Sequence, residues 1–461
     1  MSKHYDYIII GGGPCGLTIA YILSKYNKKI ALIDKNDSLG GCHRVHRVDG
    51  LFSEHSPRIY TDGFKNFINI LSDMNINFYD LFVKYKFSSN DILNSPTNTL
   101  TKYEYFILFM AFITLNEKYK DITVDEFITK YNFSSKSRYF MDSYCRLVDG
   151  VSSIDYPLYS LLDIVNSNIF NKIYEPIYPN DIGLFNLWKN NIENTVDICL
   201  NTDIIDIKDQ HTIISKDKIY KSNNFIFAIP PYNLSKLLLR TKYKNLFGDI
   251  HSWSLKTNFL KYVSLTFHWK HNIKLEKKWG LTTSDWGIIY IVMSDYMMFN
   301  DNRSKLVISI TLTRNEPSQY TENTPNQTKN RNELMMETLR QLKLIHPELT
   351  VPDFFIISNY YDKNEWQPFD SAFATTKLKY MKSQSHIYNN FYTCGHHIGE
   401  SDIHYNTLES AVINGMLLCH KLIPNSIIKY PVIKSYKFLD IIKKILYLVI
   451  IIILIYYVYK F

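Results

Sequence analysis

The sequence predicts an α/β fold (α+β overall) that opens on a dinucleotide-binding βαβ unit, and three observations predict it. Tyr7-Ile8-Ile9-Ile10 runs directly into Gly11-Gly12-Gly13-Pro14-Cys15-Gly16, an apolar strand stopped by a tight turn. Gly11, Gly13 and Gly16 keep the G-x-G-x-x-G spacing, and a helix over 17–25 follows. A second apolar run, Lys29-Ile30-Ala31-Leu32-Ile33, then ends in Asp34. That is about 20 residues past the glycines, where a ribose hydroxyl finds its acceptor.

Each residue of the turn has its own physical reason. Gly11 allows the tight turn, Gly13 lets the backbone approach a pyrophosphate, and Gly16 lets the helix lie close on the sheet. Pro14 and Cys15 stand at the helix start, whose free N–H groups and partial positive charge suit phosphates. Asp34 would repel a 2′-phosphate, which disfavours NADP. The alternative is a strand and helix joined by a glycine-rich turn without a ligand. No second G-x-G-x-x-G occurs among the sixteen glycines, which argues against a two-nucleotide disulfide reductase.

Further along the chain, Asp34-Lys35 leads through a short spacer to Gly40-Gly41-Cys42-His43-Arg44. Residues 196–205 (Val-Asp-Ile-Cys-Leu-Asn-Thr-Asp-Ile-Ile) read as a strand, as does Asn224-Phe225-Ile226-Phe227-Ala228-Ile229, which is stopped by Pro230-Pro231 before a helix over 233–239. Near the end, Asn390-Phe391-Tyr392-Thr393-Cys394-Gly395 is a strand entering a glycine, and a helix starts at Thr407-Leu408-Glu409-Ser410-Ala411. In this order the motifs resemble the flavin-dependent amine oxidase superfamily, which includes protoporphyrinogen oxidase, phytoene desaturases and UDP-galactopyranose mutase.

The resemblance implies non-covalent FAD in a Rossmann-type domain assembled from discontinuous segments. Gly11, Gly13, Pro14, Cys15 and Gly16 would meet the diphosphate, with Asp34 and Lys35 at the ribose. Gly41 and Arg44 would reach the phosphates, although Cys42-His43 departs from the family pattern of an Arg or small residue directly after the glycines. Backbone near Ile204 would touch the adenine end, while Gly395 and Glu409 would lie against the isoalloxazine and pyrophosphate. The implied boundaries place the FAD-binding domain in 1–65, 191–240 and 381–425. A substrate domain takes 66–190, with a helical part, and 241–380, with a sheet. Helices are expected over 104–115, 123–131, 137–145 and 334–345, strands over 261–269 and 305–313, and a polar surface loop over 315–332.

Three residues are the catalytic candidates. Lys261 falls where many amine oxidases carry the lysine that holds a water near flavin N5, with a merely solvated lysine as the alternative. His396 follows Gly395 where the family has a Glu, and could contact the flavin, act as a base or simply shape the loop. Arg58, in Glu54-His55-Ser56-Pro57-Arg58, could hold an anionic substrate or the flavin dipole, or pair with Glu54. Trp366 resembles a residue of the family's flavin-facing wall, or serves packing.

The 461 residues exceed one ordinary core, so two or three lobes are expected. Six cysteines without a CxxC pair point to a reduced compartment and to no metal site. From Lys421 onward there are seven lysines and one Asp, a net +6 out of the total +8. The rest is nearly neutral, so no nucleic-acid partner is indicated. After a basic linker, 426–444, the apolar run 445–459 reads as a hydrophobic helix and a transmembrane tail anchor, with the body on the cytosolic side; a core helix or docking strand is the alternative.

The expected function is therefore an FAD-dependent, amine-oxidase-like oxidoreductase, accepting a hydride at flavin N5 from a small amine or a lipophilic substrate. A desaturase, a mutase-like flavoenzyme and an inactive membrane-anchored scaffold stand as alternatives. The oligomeric state is left open.

Overall fold

The computed structural model describes residues 3–85, 99–255, 257–260, 262–299, 301–369, 373–375, 381–424 and 430–460; of 258, 259, 373–375 and 453–460 it describes the backbone alone. At its centre His4–Ile10 pairs in parallel with Ile30–Ile33 on one side and with the end of Ile219–Phe227 on the other, Ile10 lying opposite Ile33 and Phe227. Val196–Cys199 and Phe391–Thr393 extend this parallel arrangement outward. Strands far apart in sequence thus end along one edge, where open α/β sheets bind ligands. Burial on both faces explains why these strands read as continuous apolar runs rather than alternating ones.

Ile219–Phe227 changes character along its length. Its first half alternates and pairs antiparallel with Thr212–Ser215, and its last three residues are buried. The expected single strand over 196–205 is two, because Asn201 takes a left-handed turn (φ 52°) between Val196–Cys199 and Ile204–Asp209. The helix Pro14–Ser24 is buried through Leu23 and crosses Leu408–Leu422. A Cβ on Gly415 would stand 3.1 Å from the Cys15 carbonyl oxygen, so glycine sets the closeness of that crossing.

A second, antiparallel sheet runs Trp279–Leu281, Ile288–Val292, Leu306–Leu312, Val263–Trp269, Phe354–Ile357. Period-2 alternation gives Val263–Trp269 two unlike faces. Val263, Leu265, Phe267 and Trp269 join the core with the helix Arg331–Leu342. Ser264, Thr266 and His268 face the other way and bond to His55 O, Ser53 and Phe52 O. The helical part comprises Lys102–Thr114, Val124–Lys130, Ser135–Asp149 and Leu158–Asn168, the first two opened by capping boxes at Thr101/Glu104 and Thr123/Glu126.

The C-terminal expectation is corrected. Residues 430–439 do not form a free linker: Tyr430 donates to Asp73 (2.7 Å), Ile433 N to Asn66 (2.8 Å), and Leu439 N to Asn166 (2.9 Å). A helix follows over Phe438–Lys460, but among the described residues no helix is long and apolar enough to cross a membrane. Its first turns carry Asp440, Lys443 and Lys444 and dock on the body through Phe438, which contacts Phe112 and Phe170. The single-pass anchor is therefore not supported, nor is the cytosolic orientation deduced from it.

Asp163 secures this strap. It is fully buried and accepts from Lys437 Nζ (2.8 Å) and His404 N (3.0 Å). Burial alone would raise its pKa, but the His404 bond and the Lys437 charge overcome it and hold the carboxyl below its usual range. Asp163→Asn is expected to lose about 3 kcal/mol, the scale of breaking a buried pair from one side, read as a lower Tm and faster proteolysis near residue 434. Because the folded pKa is depressed, this stability is present above the unfolded value and lost as pH falls through the folded one. The Asn variant should show a correspondingly flatter acid limb.

Candidate active site

A cavity of about 890 Å³ opens at the carboxyl ends of the parallel strands and extends beneath the antiparallel sheet. Gly11, Gly13, Pro14 and Cys15 line one end. Gly11 sits at φ 110°, and a Cβ there would lie 2.3 Å from Ala228 O. At Gly16 a Cβ would lie 1.9 Å from Gly11 O, so the helix rests directly on the strand. Gly13 differs. Its φ is −77°, and a Cβ would come no nearer than 3.7 Å to Gly41 Cα. The protein's own packing leaves room there, in the position where a ligand needs close approach to the backbone. No side chain caps the helix Pro14–Ser24, so its N-terminal dipole faces the cavity.

Asp34 and Lys35 line the same end. Asp34 accepts from Gly12 N (2.6 Å) and Asn36 N (2.8 Å). Burial raises its pKa, against the pull of those two bonds. Each carboxylate oxygen retains acceptor capacity for a hydroxyl. Ile204 and Ile205 lie on the wall nearby, and Gly41, Cys42 and His43 form a rim.

Two of the expected residues are not among those lining the cavity. Arg44 is absent from the cavity lining; its Nη1 donates to Asp37 at 2.8 Å. The intervening turn Gly41–His43 carries the chain past the rim before Arg44 emerges. Glu409 also turns away: Oε1 accepts from Asn66 N and Nδ2 (both 2.8 Å), and Oε2 from Phe67 N (2.9 Å). It caps the helix Lys65–Asp73, and burial lifts its pKa to about 7 despite these bonds. Helical phase is the reason. Leu408 and Ala411, three apart, share the face that lines the cavity, whereas Glu409 points elsewhere.

Gly395, at φ 146°, and His396 line the central wall. His396 Nδ1 lies 2.8 Å from Ser410 Oγ, and burial takes its pKa down to about 4. The imidazole is therefore neutral near pH 7. His397, bonded to Thr393 Oγ1 at 3.0 Å, is lowered to about 3 by burial. Arg58 also lines the cavity, donating from Nη2 to Cys42 O (2.8 Å). Burial works against its charge, but the fields of Cys42, Tyr262 and Glu54 raise its pKa. Lys261 lies outside the described residues, between lining residues Leu260 and Tyr262. Trp366 is packing: it is buried in the second core and donates to Thr328 O.

The far half of the cavity holds residues that sequence reasoning missed: Tyr144, Asp149, Glu175, Trp279 and Tyr290. For Glu175 there was a signal, a lone acid inside the apolar strand Ile173–Pro176. Asp149 carried none, being an ordinary acid at a helix end.

Residues 9–74 match a family described as an NAD(P)-binding Rossmann-like domain. A UDP-galactopyranose mutase of Mycoplasma genitalium is 24% identical over 289 residues, 58% of this chain and 66% of that protein, just under two thirds of its length. A putrescine oxidase bound to putrescine shares the fold at a TM-score of 0.67, 13% identity, over 92% of this chain and 100% of that one. A protein described as a protoporphyrinogen oxidase from Exiguobacterium matches at a TM-score of 0.58 and 13% identity, over 92% and 99% of the two chains. The resemblance read in the sequence is borne out at the level of the fold, which this chain shares with these solved structures.

Two glycine variants should separate folding from binding. Gly16→Ala forces a Cβ against a backbone carbonyl and is expected to cost more than about 4 kcal/mol, leaving little folded protein. Gly13→Ala is expected to cost about 1 kcal/mol, the scale of losing a good N-cap residue, as measured by denaturant unfolding. The buried histidines also predict acid sensitivity. Their folded pKa values lie below the unfolded value of about 6.5, so their stabilisation is full above pH 6.5 and lost as pH falls toward 4 and 3. His396→Gln should make stability less steep with pH across that window.

Proposed function

We propose that the cavity binds FAD non-covalently and that the chain is an FAD-dependent oxidoreductase of the amine-oxidase type, acting on a small amine or lipophilic donor. The observation carrying this is Gly13. Packing leaves space for a Cβ there, beside an uncapped helix N-terminus that opens into a cavity long enough to reach a second, aromatic half. The residues fit the cofactor at each end. The backbone of Gly13 to Cys15 would hold the diphosphate, and Asp34 a ribose hydroxyl. Ile204 would flank the adenine, and Gly395 would let the flavin ring approach the strand end.

FAD, when bound, supplies a two-electron acceptor at N5. The chain positions the donor and controls protons. Tyr144, Tyr262, Trp279 and Tyr290 wall the far half. His396, neutral and hydrogen-bonded to Ser410, would offer the site a polar ring that carries no charge near pH 7. The Arg58 guanidinium fixes one positive charge between the two halves. The domain boundaries inferred from the sequence remain part of this reading: strands from 1–65, 191–240 and 381–425 would carry FAD, and 66–190 with 241–380 the substrate.

A second reading, a flavin-dependent mutase without net redox change, is favoured by the UDP-galactopyranose mutase relative. Anaerobic mixing of the purified protein with a primary amine distinguishes the two. Bleaching of the flavin band supports the oxidase, and activity on a nucleotide sugar only after dithionite reduction supports the mutase. Gly13→Ala is expected to purify folded with flavin content reduced about tenfold, the order of one lost backbone approach. Full flavin content in that variant would remove the central support for this site.

A further inference from the structure

The helix Lys102–Thr114 inverts the usual pattern of a surface helix, which turns its apolar stripe to the core and its charges to water. Its one charged side chain past Lys102 is Glu104, and that one is buried. Glu104 accepts from Thr101 N (2.7 Å), Ser134 N (2.5 Å) and Ser137 Oγ (2.8 Å). Ala111, two turns on, is buried on the same inward face. The outward face carries Tyr103, Tyr105, Phe106, Phe109, Met110 and Ile113, each between 41% and 57% exposed. The apolar surface runs on past the helix. Phe112 meets Phe438, Phe438 meets Phe170, and Ile169 and Phe170 are themselves exposed.

At about half exposure each such side chain offers on the order of 100 Å², so the outward six with Ile169 and Phe170 present roughly 800 Å². That is more than the largest apolar patch of a typical monomer. It equals the share each partner gives to a protein interface of standard size. The strip is uncharged along its middle and bounded by opposite signs. Lys102 is exposed at one end. Beyond the other, Glu117 holds Lys120 at 2.7 Å yet keeps 75% of its side chain exposed. Turned end for end, the strip complements itself, lysine against glutamate and apolar against apolar.

We propose that a second copy of this chain docks on the outward face of Lys102–Thr114, the two helices antiparallel about a twofold axis. Such an axis makes every contact twice and closes the assembly at two chains. An anionic lipid surface fits less well. The stretch 117–121 holds two acids and two lysines, so this rim offers headgroups no net attraction. The same helix packs on Leu158–Asn168, whose Ile164 and Asn168 line the cavity, so docking would brace that wall.

The test uses the full chain in buffer without detergent. Sedimentation velocity over a micromolar concentration series should show a reversible dimer, and Tm should rise with protein concentration. Phe106→Glu combined with Phe109→Glu should weaken dimerisation at least about tenfold and leave the flavin content and the Tm of the dilute protein unchanged. Lys102→Glu and Glu117→Lys should each weaken it alone and restore it together, as antiparallel pairing requires. The C-terminal helix also exposes apolar residues, Ile445 to Ile452, so association that persists undiminished in the Phe106/Phe109 variant would place it elsewhere and overturn the proposal. A wild type that stays monomeric throughout the series, or a double charge swap as weak as either single one, would overturn it too. So would monomeric protein captured through Phe106 and Phe109 by vesicles of phosphatidylcholine and phosphatidylserine.

Discussion

The constraint on which the rest of the structure depends is the contact between the first helix and the first strand. With 1.9 Å between a notional Cβ of Gly16 and the Gly11 carbonyl oxygen, only glycine lets the helix sit on the strand end. That contact aims an uncapped helix N-terminus at the edge where the parallel strands finish. The second crossing, at Gly415 on Cys15 and Thr18, presses the last helix of the body onto the first. Because the last helix is fixed this way, Leu408, Ala411 and Gly395 reach the cavity from the opposite end of the chain.

The two halves of the cavity follow different physical rules. At the glycine end, backbone groups and one carboxylate face the cavity, so what matters is the absence of side chains. In the far half, burial makes each charge expensive and pushes the pKa values of Asp149 and Glu175 upward.

Local patterns made the frame legible. The glycine turn, the apolar strands, the capping boxes and the sheet at 261–269 are each fixed by residues near in sequence, and only their ends moved: the strand begins at Val263, and the helix expected over 137–145 runs Ser135–Asp149. What was not legible depended on angle or distance. Arg44 missed the cavity because one short turn carried it past the rim, and Glu409 missed it by a fraction of a helical turn. The tail looked like an anchor because its apolar run is visible in the chain, whereas the docking of residues 430–439 on Asp73, Asn66 and Asp163 is not. Asp149 could not be placed near Arg58 from sequence at all, since only tertiary packing brings the two together.

The central claim, that the glycine-end cradle and the adjoining cavity hold one FAD, is tested most directly by what the purified protein releases. Denaturing it and separating the supernatant by chromatography should yield about one FAD per chain, free of covalent attachment. Release of NADP(H), of FMN, or of no nucleotide at all would contradict the account.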